Sequence, residues 1–235
     1  MNPPTTNFSS VFITGTDTGI GKTRVSTALL RALVGDGVAA LGMKPVASGC
    51  LQTVDGLRND DALALLECGY QPMAYADINP WALPEPIAPH TAAQLAGTTI
   101  TLDRIESAYR RLRADADMVV VEGVGGWAVP LSETVMQAAI PQQLNLPVIL
   151  VVGLRLGCLN HALLTARAIV DDGCQLLGWI GNRIDPSMAA VDANIATLNQ
   201  RLPAPCLGIL DHDGSESAET NLLFAALVTL RSKQE

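Results

Sequence analysis

The segment Gly15-Thr-Asp-Thr-Gly-Ile-Gly21-Lys22-Thr23 gathers the residue types that bind phosphate. Glycines let successive backbone N–H groups turn toward phosphate oxygens, and a helix starting just after them adds positive potential. Lys22 would reach the β- and γ-phosphates of a nucleotide, and the Thr23 hydroxyl would ligate Mg²⁺. Five residues separate the outer glycines, one more than the Walker A spacing allows. A Rossmann-type loop is excluded. The segment has no G-x-G-x-x-G, and Lys22 would have no job on a pyrophosphate bound that way.

Other candidates fall at the ends of apolar runs. Glu122 follows Met118 to Val121 and precedes a glycine-rich turn, where a Walker B carboxylate would hold Mg²⁺ or its water shell. Asp60 and Asp61 open a helical stretch, and either could serve as its N-cap, so spacing alone leaves a metal role open. Lys44 closes the second apolar run before Pro45. There it would either snorkel to the surface or point into the same crevice as Lys22. Two lysines converging on a γ-phosphate would neutralise the charge that phosphoryl transfer moves. Gly157-Cys158-Leu159-Asn160 precedes a helical stretch whose first N–H groups suit a carboxylate. His90, in a proline-rich loop, His161 and His212 read as ordinary structural residues. No Ser–His–acid arrangement stands out, which sets nucleophilic catalysis aside.

These residues need a scaffold, and the hydrophobic pattern supplies one. Strand patterns at Val11–Thr14, Val38–Met43, Met118–Val121, Val148–Val152, Leu176–Ile180 and Cys206–Leu210 alternate with helical spacing. The helical stretches are Thr23–Val34, Asp60–Cys68, Leu102–Leu112, Val135–Leu144, Leu159–Val170, Asp192–Arg201 and Ala218–Leu230. The strands are unbroken Val/Ile/Leu runs, as expected when both faces are buried. The pattern predicts an α/β fold of P-loop NTPase type. It is a single doubly wound, mostly parallel sheet with helices on both faces, spanning residues 1–235 as one domain. In such a sheet ligands bind outside the carboxyl ends of the strands, where the candidates cluster. Five of the 14 prolines fall between Pro72 and Pro89, which predicts an ordered loop or lid there.

Composition narrows the function classes. With 49% hydrophobic and 16% charged residues over 235 positions, the chain is globular rather than disordered. A net charge of −8 without a Lys/Arg run argues against a nonspecific grip on nucleic acid. The longest apolar run, Leu146 to Leu154, is broken by Pro147 and Gly153, so no membrane partner is expected. Met1 to Ser10 carries no basic-then-apolar leader, which predicts a cytoplasmic protein. Cys50, Cys68, Cys158, Cys174 and Cys206 are scattered and odd in number, so reduced thiols are expected rather than a disulfide framework or zinc cage.

Taken together, GTDTGIGKT, KPVASG (44–49), LRNDDALAL (57–65), VVVEGVGGW (119–127), PVILVVGLRLGCLNHALLTA (147–166) and LPAPCLG (202–208) resemble the dethiobiotin synthetases. The resemblance runs over about residues 11 to 210, with the loop spacing, lysine motif and GCLNH segment its most specific parts. It implies ATP- and Mg²⁺-dependent ring closure on 7,8-diaminononanoate with CO₂, in biotin synthesis. One amine takes up CO₂ as a carbamate, the carbamate oxygen attacks the γ-phosphate, and the second amine closes the ring. Carried over by position, the resemblance makes Lys44 and Lys22 catalytic. It makes Thr23, Asp61 and Glu122 metal and phosphate ligands, choosing Asp61 over Asp60. Nucleotide contacts would extend over Gly19, Ile20, Gly21 and Arg24, over Gly123, Val124 and Gly125, and to Asn182 and Arg183. Thr18 and Ser48 match substrate contacts. Gly157 to Asn160 matches a carboxylate site contributed across a homodimer interface. Arg183 stands where relatives usually have Asp, Ile209 to Asp213 replaces an Ile-Pro-Trp-like segment, and Arg155 replaces a common Lys. The first two departures predict a looser base pocket.

Two other readings share the loop. An amidoligase of the cobyrinic acid diamide synthase type expects a C-terminal glutaminase domain, for which the stretch after Gly208 is too short. A partition-type ATPase expects a lysine early in the loop, where residues 16 to 20 are Thr, Asp, Thr, Gly and Ile. It also expects a basic membrane-targeting helix, and Ala218 to Leu230 carries little basic charge.

Overall fold

In a computed structural model, which describes residues 9–232, helices and strands alternate almost throughout. The expectation for Met1 to Ser10 falls largely outside the described residues. In order, the elements are β1 (Ser10–Gly15), α1 (Lys22–Gly35), β2 (Ala40–Met43), β3 (Val46–Ala47), β4 (Leu51–Thr53), β5 (Gly56–Arg58) and α2 (Asp60–Glu67). There follow α3 (Tyr75–Ile78), β6 (Trp81–Ala82), α4 (Pro89–Leu95), α5 (Leu102–Asp115), β7 (Met118–Glu122), α6 (Ala139–Leu144) and β8 (Val148–Gly153). The chain continues through α7 (Cys158–Asp171), β9 (Leu176–Asn182), α8 (Val191–Arg201), β10 (Cys206–Leu210) and α9 (Glu216–Ser232).

The central sheet has 6 strands in the order β10-β9-β8-β1-β7-β2. Every pairing within it is parallel. Successive side chains of a strand point to opposite faces, and both faces here are dry. Phe12, Val119, Val121, Leu150 and Val152 meet Ile105 and Leu112 of α5 and Ala162 and Ile169 of α7. Val11, Ile13, Val120, Ile149 and Val151 meet Val25, Leu29 and Leu33 of α1 and Leu223 of α9. That two-sided burial is why the strands read as unbroken apolar runs.

Three local expectations need correction. The helix expected over Val135–Leu144 begins only at Ala139. Met136 bridges Pro130 instead, and Gln137 N–H donates to Val129 O at 2.8 Å. Pro141 accounts for the late start, since proline is tolerated in a first turn and not in a helix interior. Neither Asp60 nor Asp61 caps α2. The cap is Asn59, whose Oδ1 accepts from Ala62 N–H at 3.2 Å. His90 lies in α4 rather than in a loop.

The proline-rich stretch is ordered as expected, but it includes the single helical turn α3 and the strand β6, which pairs with β3. It braces the strand end carrying Lys44. Lys44 N–H donates to Ile78 O at 2.8 Å, and Asn79 Nδ2 donates to Lys44 O at 2.7 Å. The β4–β5 hairpin went unforeseen because its short strands, β4 exposed and β5 half-buried, carry no apolar run; its signal was Asp55-Gly56, a favoured turn pair. The five cysteines are free thiols. No helix among the described residues is long and apolar enough to cross a membrane.

Candidate active site

Strand register brings the site together. Ile13 of β1 pairs with Glu122 of β7, and Met43 of β2 pairs with Val121. Glu122 and Lys44 therefore leave adjacent strands side by side, level with the loop that follows β1. That loop turns left-handed at Gly19 (φ 71°) and Gly21 (φ 90°), a conformation that side chains make costly. Gly21 has a second reason. A Cβ there would stand 2.1 Å from Asn182 Nδ2.

A cleft of 430 Å³ opens over these ends. Of the expected residues it collects Thr18, Gly19, Gly21, Lys22, Thr23, Lys44, Ser48, Asp61, Glu122, Val124 and Gly125. Lys44 Nζ donates to Glu122 Oε1 at 2.6 Å, to Asp61 Oδ2 at 2.8 Å and to Gly123 O at 3.3 Å. Thr23 Oγ1 donates to the same Glu122 Oε1 at 2.9 Å. The other oxygen, Glu122 Oε2, is buried with no partner. Lys22, 6% exposed, donates from Nζ to Asp17 O at 2.9 Å.

The two lysines differ electrostatically. Burial lowers Lys22, and the nearby Lys44 charge lowers it further; Glu122, Asp61 and Asp17 only partly offset this, leaving it at about 8. Burial also disfavours the Lys44 ammonium, but Glu122 and Asp61 outweigh it and hold the pKa above the ordinary lysine value. For Asp61, desolvation pushes the carboxyl up, and the attraction and hydrogen bond of Lys44 bring it below the usual range. A buried cation thus sits between two carboxylates, beside a second lysine whose pKa is lowered to about 8.

Other expected residues lie outside this cleft. Ile20 is buried, its side chain packed beneath Gly15 and Gly153. Gly123 makes room for Phe12 and Gln137. Arg24, Asn182 and Arg183 form a separate polar group at the ends of β9 and β10. Arg24 donates to Asn182 Oδ1 at 2.9 Å, and Arg183 pairs with Asp192 at 3.1 Å and Asp211 at 3.4 Å. Gly157, Cys158, Leu159 and Asn160 form the start of α7, with Cys158 buried and Gly157 and Asn160 exposed.

Sequence reasoning missed three contributors. Asp17 fixes Lys22 through its carbonyl, and its carboxylate pairs with Arg155 at 2.5 Å. Asn59 caps α2 and lines the cleft. Gln137, 1% exposed, accepts from Val124 N–H and donates to Gly126 O, both at 2.6 Å, which fixes the turn after Glu122. A buried glutamine outside any regular element carries little sequence signal; Asp17 alone, inside the phosphate loop, could have been suspected.

The donor set suits a hard divalent cation. A hydroxyl and two carboxylates are oxygen ligands, and an orphaned buried carboxylate oxygen is costly unless something binds it.

A family model described as an AAA domain matches residues 9–220. The chain is 57% identical to the ATP-dependent dethiobiotin synthetase BioD of Xanthomonas oryzae pv. oryzae (strain PXO99A), over 88% of this chain and 91% of that protein. The identity is 55% to the protein of the same name from Xylella fastidiosa (strain 9a5c), again over 88% and 91%. With that of Xanthomonas campestris pv. campestris (strain 8004) it is 52%, over 90% and 95%. Among solved structures, the MinC:MinD cell division complex of Aquifex aeolicus superposes with a TM-score of 0.57 at 16% identity, covering 97% of this chain and 96% of that one. Chloroplast FtsY from Physcomitrella patens gives 0.51 at 18%, over 94% and 66%. At such identities these two likenesses concern the fold alone.

Proposed function

The chain belongs to the ATP-dependent dethiobiotin synthetases, C–N bond-forming ligases of biotin synthesis, and on that premise we propose which residues carry the reaction. The observation that supports the reading is the convergence of Lys22, Lys44, Thr23, Asp61 and Glu122 on one cleft. In the reaction, one amine of 7,8-diaminononanoate adds to CO₂, losing a proton and forming a carbamate. A carbamate oxygen attacks the γ-phosphorus of ATP, and the bond to ADP breaks. The second amine attacks the carbonyl carbon of the resulting anhydride, closing the ureido ring and releasing phosphate and a proton.

The loop's N–H groups and Lys22 hold the triphosphate. Carbamate and triphosphate are both anionic, so their approach needs local positive charge, which an acidic protein must concentrate at the site. Lys44, in the same cleft, supplies it and steadies the equatorial charge during transfer. Mg²⁺, held by Thr23, Asp61 and Glu122, would add further charge neutralisation on the β- and γ-phosphates. Thr18 and Ser48, on the cleft rim, would orient the diamine.

The diamine's carboxylate lies several methylenes from its amines, so its site belongs away from the reacting end at Lys44. The start of α7, with Leu156 almost fully exposed beside it, is available to a second copy. A homodimer in which Gly157 to Asn160 of one protomer receives the carboxylate of a substrate in the other belongs to the same proposal. So does a single working domain in a cytoplasmic setting.

The test is phosphate release with ATP, bicarbonate and 7,8-diaminononanoate, each omitted in turn. Release is expected only with all three present; release that ignores the diamine would count against the assignment.

A further inference from the structure

Arg24 sits one residue past the phosphate loop, and its guanidinium joins four parts of the chain. Nε donates to Glu219 Oε1 at 2.9 Å, and Nη2 pairs with the same oxygen. Nη1 donates to Asn182 Oδ1 at 2.9 Å, and Nη2 also reaches Asp211 O at 2.6 Å. Asn182 in turn donates from Nδ2 to Ile20 O at 2.8 Å. The polarity of this chain is fixed. A guanidinium only donates and a carbonyl only accepts, so the amide has one workable orientation. Glu219 is 8% exposed and Asn182 3% exposed, and the Asn182–Ile20 bond is buried, while Arg24 itself is partly open to water.

The last link bears on the loop itself. Asn182 packs against Gly21 so closely that a Cβ would overlap its amide nitrogen, and its partner Ile20 O belongs to the peptide leading into Gly21. We propose that Glu219 is a positioning residue for nucleotide binding: through Arg24 and Asn182 it holds the Ile20–Gly21 backbone of the phosphate loop in its binding shape. The inference rests on the loop being the ATP site. It makes the docking of α9, which follows the last strand, a condition for a well-formed loop rather than an addition to the core. A second tie between the same helices serves as a control. Arg31 Nε pairs with Glu216 Oε1 at 2.8 Å, with both groups exposed and neither in contact with the loop.

The experiment measures ATP affinity by calorimetry, together with steady-state KM and kcat, for Glu219→Ala, Glu219→Gln, Glu216→Ala and Lys22→Ala. Glu219→Ala should weaken ATP binding about tenfold, leaving the diamine KM and the kcat at saturating ATP within about twofold. Glu219→Gln, which keeps an acceptor oxygen, should fall between it and wild type, and it stands in if the alanine variant fails to fold. Glu216→Ala should leave ATP binding unchanged. In an Asn182→Ala background, Glu219→Ala should add little, because the route is already cut. The proposal is overturned if Glu219→Ala and Glu216→Ala lower thermal stability alike with ATP affinity intact, or if the Asn182 and Glu219 effects simply add. Unchanged ATP binding in Lys22→Ala would instead overturn the phosphate-loop reading beneath it.

Discussion

Lys44 Nζ stands 2.6 Å from Glu122 Oε1, and the same oxygen accepts the Thr23 hydroxyl at 2.9 Å. One carboxylate oxygen thus joins the end of β2, the phosphate loop's helix and β7. The other, Oε2, remains buried and unpartnered. If that oxygen and Asp61 serve a divalent cation, Glu122→Gln and Asp61→Asn should each raise the Mg²⁺ concentration needed for half-maximal rate. Asp60→Asn should not, since Asp60 is exposed and does not line the cleft. Magnesium titrations of the three variants decide it, and equal effects at Asp60 and Asp61 would remove the distinction. Asn59→Ala should cost about 1 kcal/mol of stability by removing the α2 cap, read in a denaturant titration.

Lys22 offers a pH signature. Burial and the Lys44 charge bring it to about 8 in the free protein, whereas a bound triphosphate favours its protonated form. Above that pH, ATP binding must take up a proton. Affinity measured without divalent cation should be flat below about pH 8 and then fall by up to about tenfold per pH unit. Lys22→Ala should flatten the profile and leave under about a tenth of wild-type turnover, a barrier change of more than ~1.4 kcal/mol. A wild-type profile that stays level a full unit above 8 would place the titrating group elsewhere.

Base selectivity should be modest. Both ends of the Asn182 amide are committed, to Arg24 and to Ile20 O, and Arg183 is turned toward Asp192 and Asp211. Steady-state competition of ATP with GTP and CTP should show discrimination below about 10³, or ~4 kcal/mol. A stronger preference would mean that other groups read the base.

Leu159→Pro tests the carboxylate site. Leu159 is the second residue of α7, where proline is tolerated but removes an N–H donor. The variant should raise the diamine KM more than the ATP KM, with helix content intact by circular dichroism. Sedimentation should find a dimer; a fully active monomer, or a defect in ATP binding alone, would move the site elsewhere.

The sequence by itself determined what local chemistry determines. The glycine spacing around Lys22 and Thr23 marked the phosphate loop, because left-handed backbone at Gly19 and Gly21 leaves few other residues possible. Unbroken apolar runs marked strands buried on both faces. Two local signals pointed the wrong way. The helix expected from Val135 yielded to a bridge between Met136 and Pro130, and Asn59, not either aspartate, took the α2 cap.

Only the tertiary structure decided the roles of the charged residues. A lysine at a strand end is equally compatible with water and with a cleft until the neighbouring strand is in register. Pairing Met43 with Val121 sets Lys44 beside Glu122, and burial then makes their attraction exceed the cost of desolvation. Gln137 under the turn after Glu122, and Glu219 behind Arg24, were invisible for the same reason. A polar side chain is drawn into the interior only by the partners that satisfy its hydrogen bonds, and those partners become neighbours only when the sheet assembles.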